Sequence, residues 1–248
     1  MATGVVRTPP ANMREPTEAA ARRGIPWGLG LVLLFWFGGF MAFLASPDAQ
    51  VLGATVRILY IHVAVAWLAA LAFFVNWGGS IWYLIRRDLR VDRWAAASAE
   101  IGAVFTTAIL VTGSIWARVA WGVFWTWDPR LTTALIMWFL YIGYLVLRQG
   151  IQHPETRAMV SSVVGVVAFV DVPVVYMSTR WWRSIHPVLL ESSGNFAMTP
   201  PMLLAMFAML GAVSAFFIYL LNLRIRQARL IDEVSEMELR LQAAYEDE

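Results

Sequence analysis

The chain has 248 residues, of which 59% are hydrophobic and 15% charged. A soluble domain of this length carries about a quarter charged residues, so lipid rather than water is the expected solvent. There are 13 Trp and no Cys, which excludes disulfides, thiolate metal sites and cysteine nucleophiles. All 19 basic residues are Arg; without Lys a Walker A phosphate loop cannot form, and any ATP that drives this protein must bind another subunit.

Residues 1–26 are polar and rich in Pro, Arg and Ala. They lack the apolar core of a signal peptide, so they read as a cytoplasmic tail and the apolar run that follows as retained. Apolar runs then recur at 27–45, 58–85, 101–115, 131–147, 158–177 and 201–223. The third extends back towards Trp94, with Glu100 near its start. A spanning helix needs about 20 mostly apolar residues. The expectation is therefore an all-α polytopic membrane protein with six transmembrane helices in one domain, 27–223. Residues 224–248 form a charged tail that can continue the sixth helix, with Leu230, Val234, Met237 and Leu241 at helical spacing.

Cytoplasmic loops attract positive residues. Fourteen arginines lie in the two tails and in the loops after the second and fourth helices, against five on the other side: Arg57, Arg118, Arg130, Arg180 and Arg183. Both termini are thus expected inside, with the loop at 116–130 outside.

That loop carries Trp116, Trp121, Trp125 and Trp127 together with Gly122 and Phe124, and Asp128 and Arg130 follow at once. Trp at a membrane interface is ordinary, but a belt does not account for this density around a glycine. A platform for a large flat π-system does, because aromatic side chains give wide, rigid apolar area at low entropic cost. Gly122 lets the backbone turn or approach closely.

The chain has three histidines. His62 lies near the outer start of the second helix and His186 in the outer loop after the fifth; His153 is on the cytoplasmic side and reads as a surface residue. Neutral imidazole is an axial ligand for haem iron. A planar macrocycle resting on Trp, with a His on each face, accounts for the Trp, the His and the missing Cys together. Arginine pairs with carboxylates in a two-pronged geometry, so Arg57, Arg130, Arg180 and Arg183 are candidates for the haem propionates. Arg57 and Arg130 rank higher because they flank His62 and the Trp loop.

Three stretches in order carry a family resemblance: Arg57-Ile58-Leu59-Tyr60-Ile61-His62-Val63, then Trp121-Gly122-x-x-Trp125-x-Trp127-Asp128, then Val172-Pro173 through Trp181-Trp182-Arg183-Ser184-Ile185-His186. The middle one resembles the tryptophan-rich WWD signature of haem-handling membrane proteins. The three together resemble the cytochrome c maturation protein C (CcmC, haem exporter protein C) family over most of the chain. The resemblance implies that His62 and His186 are axial ligands of a haem b. It implies that Trp116, Trp121, Gly122, Trp125, Trp127 and Asp128 cradle the haem, with Arg57 and Arg130 beside it. It further implies a subunit of the bacterial inner membrane, with its haem site facing the periplasm. The implied partners are an ABC-type ATPase, a second membrane subunit, a small single-span subunit and a periplasmic haem chaperone (the CcmA, CcmB, CcmD and CcmE types), besides membrane lipid; nucleic acid is not among them.

The chain departs from the family pattern at Asp171, where Asn is usual, at Phe124, where Trp is common, and in a longer tail. An ionisable residue inside a span is expensive. Asp171 is expected either to sit neutral and hydrogen-bonded in the bundle, or to orient the pocket through an imidazole or an outer arginine. On this reading the protein is a transfer subunit and not an enzyme. The competing readings are a haem lyase, for whose extra spans and histidines 248 residues leave no room, and a solute transporter whose Trp loop is only a belt.

Overall fold

The computed structural model describes residues 15–48, 53–189, 194 and 196–246. Among them there is no β-strand, and six helices are long and apolar enough to cross a membrane. In chain order the elements are α1 (Glu15–Phe40), a π-helical end (Met41–Ala45), α2 (Val56–Arg86), α3 (Leu89–Trp121), α4 (Pro129–Gly150), α5 (Pro154–Phe169), α6 (Asp171–Trp181) and α7 (Pro200–Glu246).

The third apolar run, 101–115 extended back towards Trp94, lies within α3, which has 33 residues. Its charged first half is tolerated because each acid has a cation on another helix. Asp92 accepts both prongs of Arg148 at 2.7 and 2.8 Å, and Glu100 pairs with Arg224 of α7. The start is capped by Asp88, whose carboxylate accepts the Arg90 N–H at 2.8 Å. The end is set by Gly122, which takes a φ of +78° and returns its N–H to the Arg118 carbonyl at 3.1 Å. A left-handed closing residue costs least when it lacks a Cβ.

Two boundaries differ from the sequence expectation. Trp116 and Trp121 belong to the last turns of α3, and Pro129 and Arg130 open α4, so the irregular part of the expected 116–130 loop is only 122–128. The fifth span is also not one continuous helix. It breaks at Val170, whose N–H bonds back to Val167 at 3.1 Å. Pro173 has no N–H for the Phe169 carbonyl, and its ring crowds that turn. The tail, by contrast, continues α7 as far as Glu246.

The hairpin of α2 and α3 is the centre of the bundle. Against it pack α5 on one side and α7 on the other; α1 leans on α7, and α4 lies against α3, α5 and α6. Small residues allow the central pair to approach closely. A Cβ on Gly102 would fall 2.3 Å from the Phe73 ring, and one on Gly79 would fall 3.0 Å from Ala95. Close backbone approach gives helices in lipid the packing contacts that water cannot drive. One apolar cluster joins α2 and α7 through Leu59, Ala64, Leu68, Met206, Val213 and Phe217. A second joins α2 to α4 through Phe73, Tyr141 and Tyr144, with Phe73 and Tyr141 stacked 10° from parallel. The outward faces keep large apolar side chains, Trp36, Phe74, Val104, Phe139 and Ile218 among them, as a lipid-facing surface requires. The start of α2, the end of α3, the start of α4 and the end of α6 all meet at one end of this bundle.

Candidate functional site

Three connections hold that end together. The carboxylate of Asp128 caps α4 by accepting the Arg130 N–H at 2.9 Å. It also accepts the Ser184 hydroxyl at 3.0 Å and the Ile185 N–H at 2.9 Å. Ser184 in turn accepts the His186 N–H at 3.0 Å. Asp128 is therefore taken up by its own chain and ties the Trp segment to the His186 segment. The Arg130 guanidinium reaches across to the Tyr176 carbonyl of α6 at 3.5 Å. His62, in the second turn of α2, bonds through Nδ1 to Thr112 Oγ1 of α3 at 2.9 Å.

Two of the three histidines come together here. His186 lies close enough to His62 and Arg130 for both to act on its ring, and Arg130 acts likewise on His62. Burial, with the Arg130 charge next, pushes His186 down from 6.5 to about 4, so the ring is neutral at ordinary pH. Its Nδ1 lies 3.1 Å from the Pro187 carbonyl. A carbonyl only accepts, so Nδ1 carries the proton and Nε2 keeps its lone pair. His153 is exposed at the opposite end, capping α5.

The tryptophans divide into two groups. Trp116 is buried, and its ring meets Trp121 edge-on at 5.0 Å between centroids. Both rings face His186, at 6.3 and 6.4 Å. Trp125 and Trp127 form a second edge-on pair at 5.8 Å, and Trp127 is 75% exposed. Phe124, also exposed, has the Arg118 guanidinium 5.5 Å from its ring centre. The first group thus walls the His186 imidazole, and the second forms an outward apolar rim.

The other candidates lie apart. Arg57 pairs with Asp48 at 3.1 Å, both half-exposed, so of the two higher-ranked arginines Arg130 is the one beside the imidazoles. Arg180 lies over the Tyr176 ring at 5.5 Å, and Arg183 is exposed. Asp171 opens α6; among the described residues it forms no ion pair, and its Oδ2 is buried without a hydrogen-bond partner. It stands near the Tyr141 hydroxyl in the bundle interior. The alternative in which Asp171 pairs with an imidazole or an outer arginine is therefore not formed among the described residues.

The sequence reading missed Thr112, Gly113 and Ser184. A Cβ on Gly113 would fall 3.1 Å from His62 Cε1, so this glycine seats the ring. The Thr112-Gly113 pair, three residues before Trp116, is the only signal the sequence offered.

The residues present fit haem. There are two neutral nitrogen donors, an aromatic wall, and an arginine without a carboxylate partner of its own among the described residues. In addition, the indole Nε1 of Trp116 and the Thr126 hydroxyl are buried without a partner, and buried polar atoms ordinarily have one.

A family model described as heme exporter protein C matches residues 11–240. A protein of Bradyrhizobium diazoefficiens named heme exporter protein C is 34% identical over 84% of this chain and 81% of its own length. One of Escherichia coli K12 with the same name is 32% identical over 75% and 77%. A Marchantia polymorpha protein named putative cytochrome c biosynthesis ccmC-like mitochondrial protein is 33% identical over 63% and 68%. With the match covering nearly the whole chain and including His62, the Trp segment and His186, the chain belongs to the heme exporter protein C family.

Proposed function

We propose that this protein handles haem for cytochrome c biogenesis by holding it as cargo between His62 and His186 and presenting it to a haem chaperone. The observation that carries this reading is the approach of two imidazoles from distant segments to Arg130, with His186 against the rings of Trp116 and Trp121. The haem is of b type, held without covalent attachment, since the chain has no Cys to form a thioether. Bound haem supplies an iron that takes the two nitrogen donors and two propionates that need a cation. His62 and His186 donate, Arg130 faces a propionate, and Trp116 and Trp121 keep water from one side. Trp125 and Trp127, on the outward rim, cover the edge that a chaperone would approach.

The arginine distribution supports an orientation with this end in the periplasm and both termini in the cytoplasm of a bacterial inner membrane. Without a phosphate-binding loop of its own, the chain works with an ABC-type ATPase, together with a second membrane subunit and a small single-span subunit. It acts as a transfer subunit rather than an enzyme. An optical spectrum of the protein purified from membranes tests the reading. A Soret band is expected, and adding a haem-free chaperone of the CcmE type should draw that band onto the chaperone. A colourless protein from haem-replete cells contradicts the reading and favours transport of another solute.

A further inference from the structure

We propose that Thr112 is a positioning residue for His62, fixing its imidazole as the tautomer that carries the proton on Nδ1 and offers the Nε2 lone pair to haem iron. This rests on the reading of His62 as a haem ligand. Thr112 Oγ1 lies 2.7 Å from the Ala108 carbonyl, 3.4 Å from the Ile109 carbonyl and 2.9 Å from His62 Nδ1. A hydroxyl has one proton and two lone pairs, and a carbonyl has no proton to give. The short contact to Ala108 therefore takes the Thr112 proton, as threonines within helices commonly do. Only lone pairs remain for His62, so the ring must donate from Nδ1. A neutral ring protonated there has Nε2 bare.

Free histidine in water prefers the opposite tautomer, with Nε2 protonated and unable to bind metal. Thr112 reverses that preference from another helix, 50 positions away in sequence. Gly113 completes the seat: its missing Cβ would fall 3.1 Å from Cε1 and 3.9 Å from Nε2. His186 reaches the same tautomer by a local route, through the Pro187 carbonyl. Both imidazoles thus present the same nitrogen, each held by its other one, as the outer hydrogen bonds of metal-binding histidines do.

The test uses the full chain in detergent. With three histidines, isotopic labelling of histidine nitrogen gives three pairs of ring signals, assigned by removing each ring in turn. In the haem-free protein, wild type and Thr112→Ser should carry the His62 proton on Nδ1, and Thr112→Val should move it to Nε2. In the haem-loaded protein, Thr112→Val should lower haem retained per chain about 10–100-fold and shift the Soret band, and Thr112→Ser should restore both. Thr112→Ala makes the same comparison if the valine variant does not insert. A wild-type tautomer and wild-type spectrum in the valine or alanine variant would overturn the proposal. If His62→Ala keeps as much haem as wild type, the ligand reading itself fails and the proposal fails with it; if His62→Ala loses haem and Thr112→Val does not, only the positioning role is lost.

Discussion

Helix α4 carries a half-buried arginine near each end, and their surroundings differ. Arg148, in the last turn, has both prongs on the Asp92 carboxylate, and its side chain is 13% exposed. Its ring neighbour Tyr144 lies 5.8 Å away. Arg130, in the first turn, sits among two imidazoles, and the nearby Asp128 carboxylate is occupied by two N–H groups and a hydroxyl. One end of the helix is ion-paired within the chain, and the other forms no ion pair among the described residues. On the proposed reading a haem propionate would pair with the second.

Removing each arginine tests this contrast directly and should give the largest effects. Breaking a buried pair by deleting one partner costs about 3–5 kcal/mol, because the other charge is left uncompensated. Arg148→Gln should therefore lower the thermal midpoint sharply and leave haem per folded chain unchanged. Arg130→Gln should do the reverse, leaving the midpoint of the haem-free protein near wild type and lowering haem retention by about tenfold, the scale of one charge-assisted contact. Equal effects of the two substitutions on both readouts would erase the distinction.

The tryptophans extend the comparison from wall to rim. Changing Trp121, Trp125 and Trp127 together to Ala should weaken haem retention while leaving membrane insertion intact. The loss is about 1–3 kcal/mol per stacking ring, on the scale measured for aromatic platforms under bases. Phe at the same positions should be milder. A Phe variant as defective as Ala would mean that the indole N–H groups, not the ring surface, matter; Trp116, with its unpartnered buried N–H, would then be the next position to change.

Much of this end was legible in the sequence, and the reasons for the rest are physical. Six apolar runs and the sidedness of His62, the Trp segment and His186 follow from hydropathy and charge, which act locally. The length of α3 was not legible, since Asp92 and Glu100 are acceptable in a span only because Arg148 and Arg224 lie on other helices. Pro173 was visible, but the helix break it causes was not drawn from it. Asp128 read as a ligand-facing acid, whereas its bonds to Ser184 and Ile185 cross 56 and 57 positions. The His62–Thr112 bond likewise joins residues that only helix packing brings together.

Two smaller effects sharpen the picture. His186 is held down to about 4, first by burial and then by the Arg130 charge. Its ring stays neutral, and able to bind iron, as pH falls through 6.5, so its share of haem retention should hold until pH approaches 4. In the unfolded chain the same ring takes a proton at about 6.5. The unfolded state therefore binds more protons between 6.5 and 4, and the haem-free protein should lose stability as pH falls through that window. A pH titration of haem retention that breaks near 6.5 would show His186 to be less buried than described. At the far end of the scale, Asp171→Asn should leave the haem spectrum and its pH dependence unchanged, because this side chain lies by Tyr141 and not among the imidazoles. A shifted spectrum in that variant would return Asp171 to the pocket.

On the proposed reading two histidines, and not the third, hold haem at one end of the bundle. The most direct measurement is the Soret absorbance per chain of His62→Ala, His186→Ala and His153→Ala, each purified from haem-replete membranes. Loss of an axial ligand should cost at least the about 10–100-fold seen when a ligand's outer hydrogen bond is removed. His62→Ala and His186→Ala should therefore be nearly colourless, and His153→Ala should match wild type. Equal absorbance in all three variants would contradict the account.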